Sequence, residues 1–204
     1  MSDEAPNPRQ AMWDERHAAR DPIESREPEA VLVELAGRLE PGRALDLATG
    51  DGRNAVWLAS RGWVTTAVDF SRIALDRARA LADHAGASVT WVHEDLLAWR
   101  PPARSFDLVM LAFLHLPAAE RQHVYGAAAD AVAPGGHLVV VGHDRVNAGR
   151  GVPGPQDPEV LFTADEVAAG LSGFAVERSE AVERDLGDGR IAVDAVVVAR
   201  RPDG

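Results

Sequence analysis

Residues 43–71 read RALDLATGDGRNAVWLASRGWVTTAVDFS, and this stretch decides the fold. An apolar segment runs into two closely spaced glycines, Gly50 and Gly52, and a helix-forming segment follows them. A second apolar segment ends in an acid, Asp69. The order of strand, glycine turn, helix, strand and acid predicts a unit that binds a nucleotide-type cofactor. The reason is that glycines let the backbone approach the ligand, while the acid can accept hydrogen bonds from ribose hydroxyls.

The composition narrows the class of protein. A chain of 204 residues with 46% hydrophobic content suits one globular domain with a sizeable core. There is no cysteine, and all 21 basic residues are arginine, which excludes disulfides, a thiolate nucleophile and Schiff-base chemistry. The net charge of −11 argues against a nucleic-acid partner, because phosphate binding needs a basic face.

Alternating apolar and turn-forming segments predict the remaining elements. We expect helices at 9–19, 28–39, 52–61, 72–84, 118–133 and just after Thr163, and strands at 43–48, 64–69, 88–93, 106–113, 137–142, 174–185 and 190–200. The last two strands flank a glycine-rich turn and predict a β-hairpin. The fold class is therefore α/β: a doubly wound, mostly parallel seven-stranded sheet with an antiparallel C-terminal hairpin.

The glycine turn matches the binding motifs of two different cofactors. Residues 50–55, GDGRNA, fit the G-x-G-x-x-G/A fingerprint of dinucleotide-binding domains, which would make the protein an NAD-binding reductase. Residues 46–52, DLATGDG, resemble the D-x-G-x-G-x-G motif of class I S-adenosylmethionine (SAM) dependent methyltransferases, with Ala48 where that family usually has glycine. A seven-stranded sheet with a reversed last strand also resembles the methyltransferase fold, whereas a dinucleotide domain normally continues with parallel strands.

The resemblance implies which residues hold SAM, or its product S-adenosylhomocysteine (SAH). The methionine end would lie at the glycine turn, the ribose at the acid that ends the second strand, and the adenine beside that acid and after the third strand. The implied cofactor-binding residues are Asp46, Ala48, Gly50, Gly52, Asn54, Asp69, Phe70, Asp95 and Leu96. For Asp69 and Asp95 the alternative is a helix cap.

The ends of the fourth and fifth strands face the methyl group in this fold. His115 and His143 stand there and are candidates for a general base, since a histidine near neutral pKa can accept a proton from an attacking nucleophile. The alternative for each is a structural histidine bonded to nearby backbone. Asp144 and Arg145 would orient His143 or bind a charged substrate. We expect no metal, because the histidine spacing matches no metal-binding pattern.

An N-terminal segment carries a further resemblance. Trp13, Arg16 and His17 resemble the W-x-x-R-Y stretch of small-molecule methyltransferases of the tellurite-resistance and thiopurine type, with His17 in place of the usual tyrosine. In those enzymes this helix covers the cofactor, so the three residues would contribute to substrate binding. The alternative is an amphipathic helix packed on the sheet. We expect a lid helix within residues 1–27 and a SAM-binding domain at 28–204.

The expected function is SAM-dependent methyl transfer to a small-molecule nucleophile, with a sulfur, nitrogen or oxygen acceptor left open. The alternatives are a non-catalytic SAM-binding protein and the NAD-binding reductase. A nucleic-acid or protein methyltransferase is disfavoured by the acidity and by the lack of an N/D-P-P-Y motif after the fourth strand. Without an apolar leader or a long apolar segment, we expect a cytoplasmic monomer or homodimer with no membrane partner.

Overall fold

The computed structural model describes residues 8–19 and 27–204. The helices are α1 (Pro8–Ala19), α2 (Ala30–Ala36), α3 (Arg53–Ser60), α4 (Arg72–Ala85), α5 (Ala118–Ala131) and α6 (Ala164–Gly170). The strands are β1 (Arg43–Leu47), β2 (Val64–Asp69), β3 (Val89–His93), β4 (Phe106–Ala112), β5 (Val132–His143), β6 (Ala175–Asp185) and β7 (Ile191–Arg200). None of the helices in this described part has the length and apolar character needed to cross a bilayer.

The seven strands form one sheet in the order β3-β2-β1-β4-β5-β7-β6. All neighbours pair in parallel except β7, which runs antiparallel to both β5 and β6. The chain winds outward from β1 in one direction and then returns to place β4 on its other side. This reversal creates a crevice at the carboxyl ends of β1 and β4, where ligands bind in sheets of this kind. The predicted fold class is confirmed.

The sheet is buried on both faces, as the continuous apolar strands require. Along β4, Leu108 and Met110 pack in one cluster with α2 and Trp63, while Val109 and Leu111 pack in the other with α5 and α6. This alternation is the two-residue period of a strand covered on both sides. The rigid central strands carry the functional loops at their carboxyl ends.

The boundary between α5 and β5 differs from the prediction. The predicted helix at 118–133 ends at Ala131, and β5 begins at Val132 rather than at His137. Val132 is extended, with φ −67° and ψ 127°, which suits a β-branched residue. The Pro-Gly-Gly segment lies within β5. A Cβ at Gly136 would approach the Asp107 carbonyl oxygen to 2.9 Å, so the close pairing with β4 requires glycine at this position.

Helix α2 is shorter than the predicted helix at 28–39. Its N-cap, Glu29, is extended, with φ −61° and ψ 130°. The Glu29 N–H donates to the side-chain oxygen of Asn54 at 2.9 Å, and the Glu29 carboxylate pairs with Arg53. These contacts with α3 hold Glu29 out of the helix, which a local pattern could not indicate.

The C-terminal predictions are confirmed. Strands β6 and β7 form the antiparallel hairpin. Thr163 accepts from the Glu166 N–H at 3.2 Å, and the Glu166 carboxylate accepts from the Thr163 N–H at 3.1 Å, completing a capping box at the start of α6.

Helix α1 crosses the carboxyl edge of the sheet. Arg9 near its start pairs with Glu120 of α5 at 2.8 Å, and Asp14 accepts a hydrogen bond from the Ser71 hydroxyl before α4. The helix therefore spans from the β4 side of the crevice to the β2 side. Residues 1–7 and 20–26 of the predicted N-terminal arm lie outside the described residues, and the division into 1–27 and 28–204 stays a prediction.

Candidate active site

The glycine turn joins β1 to α3 in a left-handed conformation. Ala48, Gly50 and Gly52 have φ values of 57°, 56° and 80°. A Cβ at Gly52 would lie 2.6 Å from the Ala78 Cβ of α4, so glycine is required there by space as well as by φ. Ala48 holds the same kind of backbone conformation with a side chain, which is uncommon outside glycine. The turn is therefore a tightly packed platform that carries strain at one position.

Asp46 lies beneath this turn and is 1% exposed. The Thr49 hydroxyl donates to its Oδ2 at 2.6 Å, whereas its Oδ1 makes no hydrogen bond of normal geometry with the residues that the structure describes. Burial raises the pKa of Asp46 to about 7, against the hydrogen bond from Thr49 and the charge of Arg53, both of which favour the ionised form. A buried acceptor atom is thus left unpaired at the position where the resemblance places the methionine end of the cofactor.

Asp69 joins the ends of β1 and β2. Its Oδ2 accepts from the Gly50 N–H at 2.8 Å, and its Oδ1 accepts from the Ser71 N–H at 2.9 Å. Ser71 itself caps α4, with its hydroxyl accepting from the Ala74 N–H. Burial raises the pKa of Asp69, and the two backbone hydrogen bonds oppose that shift. Each carboxylate oxygen keeps a second lone pair for a ligand, and ribose binding by Asp69 stays a prediction.

The predicted adenine side lies after β2 and β3. A ring nitrogen of His93 donates to the Phe70 carbonyl oxygen at 2.8 Å, which fixes the backbone beside Asp69. Asp95 accepts from the Leu97 N–H at 2.9 Å in a turn at 96–98 where no helix begins, and adenine contact by Asp95 stays a prediction. Leu96 packs against the hydrophobic core. His93 was not among the predicted site residues.

Helix α1 brings its predicted residues to the glycine turn. The His17 ring is buried, and its Nδ1 lies 3.0 Å from the Asp51 carboxylate. A Cβ at Gly50 would lie 3.6 Å from the His17 ring. Trp13 packs near His17, with ring centroids 5.9 Å apart, and the Arg16 guanidinium lies 5.0 Å from the Trp13 ring centroid. His17 therefore lies against the glycine turn with Trp13 and Arg16 beside it, and a lid role for this helix stays a prediction.

The two histidines after β4 and β5 lie together. The His143 backbone N–H donates to His115 Nε2 at 3.0 Å, and the two rings stack with centroids 5.0 Å apart. The Nε2 lone pair of His115 is therefore occupied. Burial, reinforced by the nearby His143, lowers the pKa of His115 to about 4. His115 supports the backbone of His143, and its predicted role as a base has no free acceptor atom at Nε2.

An acid that the sequence reading missed contacts the His143 ring. Asp194 of β7 accepts at 3.2 Å from His143 Nδ1 and at 2.7 Å from Arg184 Nε of β6. One signal was present: Asp194 is the only charged residue in the apolar run at 191–199. A charge buried in such a strand requires a partner.

Asp144 and Arg145 each have a protein partner near the end of β5, and their contact with a substrate stays a prediction. Asp144 is buried, and its Oδ1 accepts from the Val146 N–H at 2.9 Å, capping the short 3-10 turn at Arg145–Asn147. Arg145 pairs with Glu166 at the start of α6. Both therefore anchor the chain after β5, because local backbone and α6 offer closer partners than the His143 ring does.

The predicted cofactor-binding residue Asn54 also has a hydrogen-bond partner within the protein. Its side-chain oxygen accepts the Glu29 N–H and so anchors the segment before α2. Contact between Asn54 and the cofactor carboxylate stays a prediction.

These features lie together at one edge of the sheet. The doubly wound sheet, the glycine turn over a buried acid, the second acid after β2 and the paired histidines stand where the resemblance to class I SAM-dependent methyltransferases places the cofactor. Comparison with known proteins agrees, because residues 44–136 match a family described as "Methyltransferase domain". The resemblance stated from the sequence is confirmed, and this match supports SAM as the cofactor.

One curated relative and two solved structures illustrate the likeness. The chain is 38% identical over 111 residues to the demethylmenaquinone methyltransferase of Thermus thermophilus, an alignment that spans 53% of this chain and 50% of that protein. The N-methyltransferase NodS from Bradyrhizobium japonicum, solved with SAH, has a TM-score of 0.74 at 18% identity, covering 94% of this chain and 98% of that one. TehB from Haemophilus influenzae has a TM-score of 0.71 at 17% identity, covering 85% of this chain and 62% of that one. At these identities the two structures show the fold.

Proposed function

We propose that this protein binds SAM at the carboxyl edge of the sheet and transfers its methyl group to a small-molecule nucleophile. The observation that carries the proposal is the convergence at one edge of the glycine turn, the unpaired Oδ1 of Asp46 and the carboxylate of Asp69. The methyltransferase-domain match over residues 44–136 supports it. The net charge of −11 favours a small molecule over nucleic acid as the acceptor. A cytoplasmic location and a monomeric or homodimeric state stay predictions.

Different residues at this edge would contact different parts of the cofactor. Asp46 and the turn from Ala48 to Gly52 would hold the methionine end, and Asp69 the ribose hydroxyls. The adenine would lie beside Phe70 and the segment at 95–96. The methyl group would then point toward the ends of β4 and β5, where His143 lies.

SAM supplies an activated methyl group, and its transfer is an in-line displacement at carbon. The protein has to align donor and acceptor and exclude water, which is where most of the rate enhancement in such a reaction arises. Helix α1 covers the turn and is suited to exclude water there. We take His143 as the candidate to accept a proton from the acceptor, since its Nε2 makes no hydrogen bond within the described residues.

Calorimetric titration with SAH, with NADH as the control ligand, tests the cofactor. We expect SAH to bind, and Asp69→Ala to weaken its affinity at least tenfold, about 1.4 kcal/mol, because ribose contacts and the fixed turn are both lost. Asp107→Ala is a matched control. Asp107 also accepts a backbone N–H, that of Arg43 at 2.7 Å, but at the opposite edge of the sheet. Equal losses in the two variants would contradict the assignment of Asp69.

The same titration separates the alternatives. Binding of NADH alone would identify a dinucleotide site and remove SAM as the cofactor. SAH binding without methylated product over a broad panel of sulfur, nitrogen and oxygen acceptors would favour a non-catalytic SAM-binding protein.

A further inference from the structure

Asp194 is a buried acid with no role in the function proposed above. It is 6% exposed on an apolar strand, and it contacts one ring nitrogen and one guanidinium. Burial alone would raise the pKa of Asp194, yet the hydrogen bonds from His143 and Arg184 leave it below its ordinary value. Asp194 is thus an ionised carboxylate in the sheet, held beside a histidine at the acceptor end of the crevice.

We infer that Asp194, anchored by Arg184, fixes His143 in the tautomer that leaves Nε2 free to accept a proton, and that the methyl acceptor therefore carries a proton at the attacked atom. A hydroxyl meets this description, and so does an ammonium, whose lone pair becomes available only when His143 first takes a proton; a preformed thiolate or chalcogen anion does not. The second half of the inference rests on the proposed function, and the first half does not.

The tautomer follows from the contacts. An ionised carboxylate only accepts hydrogen bonds, so the His143 nitrogen facing Asp194 must carry the proton. That nitrogen is Nδ1, which leaves a lone pair on Nε2 of the neutral ring. Arg184 donates to both Asp194 oxygens, at 2.7 and 3.3 Å, and so prevents the carboxylate from turning away.

The His143 ring is held on its other sides as well. Its backbone N–H is bound by His115, and Phe113 packs against it with ring centroids 4.9 Å apart. Phe113 has a φ of 56°, an uncommon conformation for a bulky residue, and such strain often occurs at functional sites. Glu29 of the segment before α2 also faces the pair, and it is itself paired with Arg53 of α3.

The Nε2 side is covered by the loop at 148–158. A Cβ at Gly154 would lie 2.5 Å from His143 Nε2, so the glycine backbone passes directly over this nitrogen. The loop is tied by a hydrogen bond from Arg190 to the Gly151 carbonyl oxygen. An acceptor reaches Nε2 only beside or beneath this loop, which therefore forms one wall of the acceptor site.

The chemical step balances with groups already present. The acceptor lone pair forms a bond to the methyl carbon, the carbon–sulfur bond breaks, and its electron pair stays on sulfur to give SAH. The acceptor proton moves to His143 Nε2, and Asp194 stabilises the resulting imidazolium. The proton then passes to solvent. Asp194 is a positioning residue here, since it acts through His143.

Nitrogen-15 NMR of the histidine rings in the full chain tests the tautomer without any acceptor. We expect the neutral His143 ring to be protonated at Nδ1 in the unmodified protein, with its signals assigned by their loss in His143→Gln. Asp194→Asn should shift the proton toward Nε2, because the asparagine amide can donate to Nδ1. Glu183→Gln, which removes an exposed charge from β6, is the control and should leave the tautomer unchanged. Protonation at Nε2 in the unmodified protein would overturn the inference, and that measurement needs no variant to fold.

An acceptor panel tests the substrate class. Catechol, a primary arylalkylamine and thiophenol would be offered with SAM, and SAH formation followed. We expect product with a hydroxyl or amine acceptor, and a drop in kcat of about 100-fold in Asp194→Asn with the KM for SAM unchanged. The loss should be smaller at high pH, where the acceptor ionises without a base. Methylation of thiophenol alone, unaffected by Asp194→Asn, would overturn the substrate class. A failure to bind SAH would instead overturn the proposed function and leave the tautomer result standing.

Discussion

At the scale of single residues, the site is built from polar groups that the fold has removed from water. Asp46, Asp69 and Asp194 are all buried, but their hydrogen-bond donors differ. Asp69 has two backbone donors and Asp194 has a ring N–H and a guanidinium as donors, whereas Asp46 has one hydroxyl donor and, among the described residues, one oxygen with no hydrogen bond. An unpaired buried acceptor is costly. The protonation state of Asp46 should therefore respond more than those of Asp69 and Asp194 to a positive charge bound beside it.

Asp46 predicts a pH dependence of stability. Its pKa is about 7 in the folded protein and 3.8 as the ordinary value, so the folded state binds more protons between those limits. The free energy of unfolding should therefore fall as pH rises from about 4 to 7, by at most about 1.4 kcal/mol per pH unit from this group. In Asp46→Asn this contribution should vanish. Urea unfolding of both proteins across that range checks it, and parallel stability curves would contradict the shift.

Ala48 predicts a stabilising substitution. Its φ of 57° is costly with a Cβ, so Ala48→Gly should raise the free energy of unfolding by about 1 kcal/mol. Ala80→Gly is the matched control, since Ala80 is exposed in the interior of α4 and should lose about 1 kcal/mol. Urea unfolding measures both. A loss of stability in Ala48→Gly would show that the turn is not strained at this position.

At the scale of elements, the loop at 148–158 shows how glycine placement shapes the site. Gly149 and Gly154 both have positive φ, at 74° and 113°. A Cβ at Gly149 meets nothing within 4 Å, whereas one at Gly154 would lie 2.4 Å from the His143 ring. Both positions therefore favour glycine because of their positive φ. Only Gly154 also lacks the space for a Cβ.

Substitution of these glycines separates the two effects. Gly149→Ala and Gly154→Ala should each cost about 1 kcal/mol or more through backbone strain. Only Gly154→Ala should also displace the loop and shift the NMR signals of the His143 ring. Urea unfolding and ring NMR on both variants provide the comparison. Unshifted His143 signals in a folded Gly154→Ala variant would show that the loop does not lie on the ring.

At the scale of the whole molecule, the sheet order brings distant segments to one edge. The carboxyl ends of β1, β2, β3, β4 and β5 supply the site residues, and α1 crosses above them. Ligand binding at this edge should therefore stabilise the whole fold, because the ligand contacts segments that are separate in the unfolded chain.

Thermal unfolding with SAH checks this expectation. At 100 times its Kd, SAH should stabilise the folded protein by about 2.7 kcal/mol. For a domain of this size that corresponds to a rise in Tm of roughly 5 to 10 °C. NADH at the same concentration should leave Tm unchanged. A rise with NADH and none with SAH would support a dinucleotide site instead.

The sequence by itself determined the fold class, because strand burial, glycine turns and the hairpin leave local patterns that the structure reproduces. It also indicated Asp46, Asp69 and His143, since the ends of strands can be located along the chain. Only the tertiary structure decided which groups touch: Asp194 with His143, His115 with the His143 backbone, and Glu29 with Asn54. These pairs come from segments far apart in the chain, and the register of the sheet sets their distance. Asp144 and Arg145 likewise have close partners, the Val146 N–H and Glu166, which the sequence could not reveal.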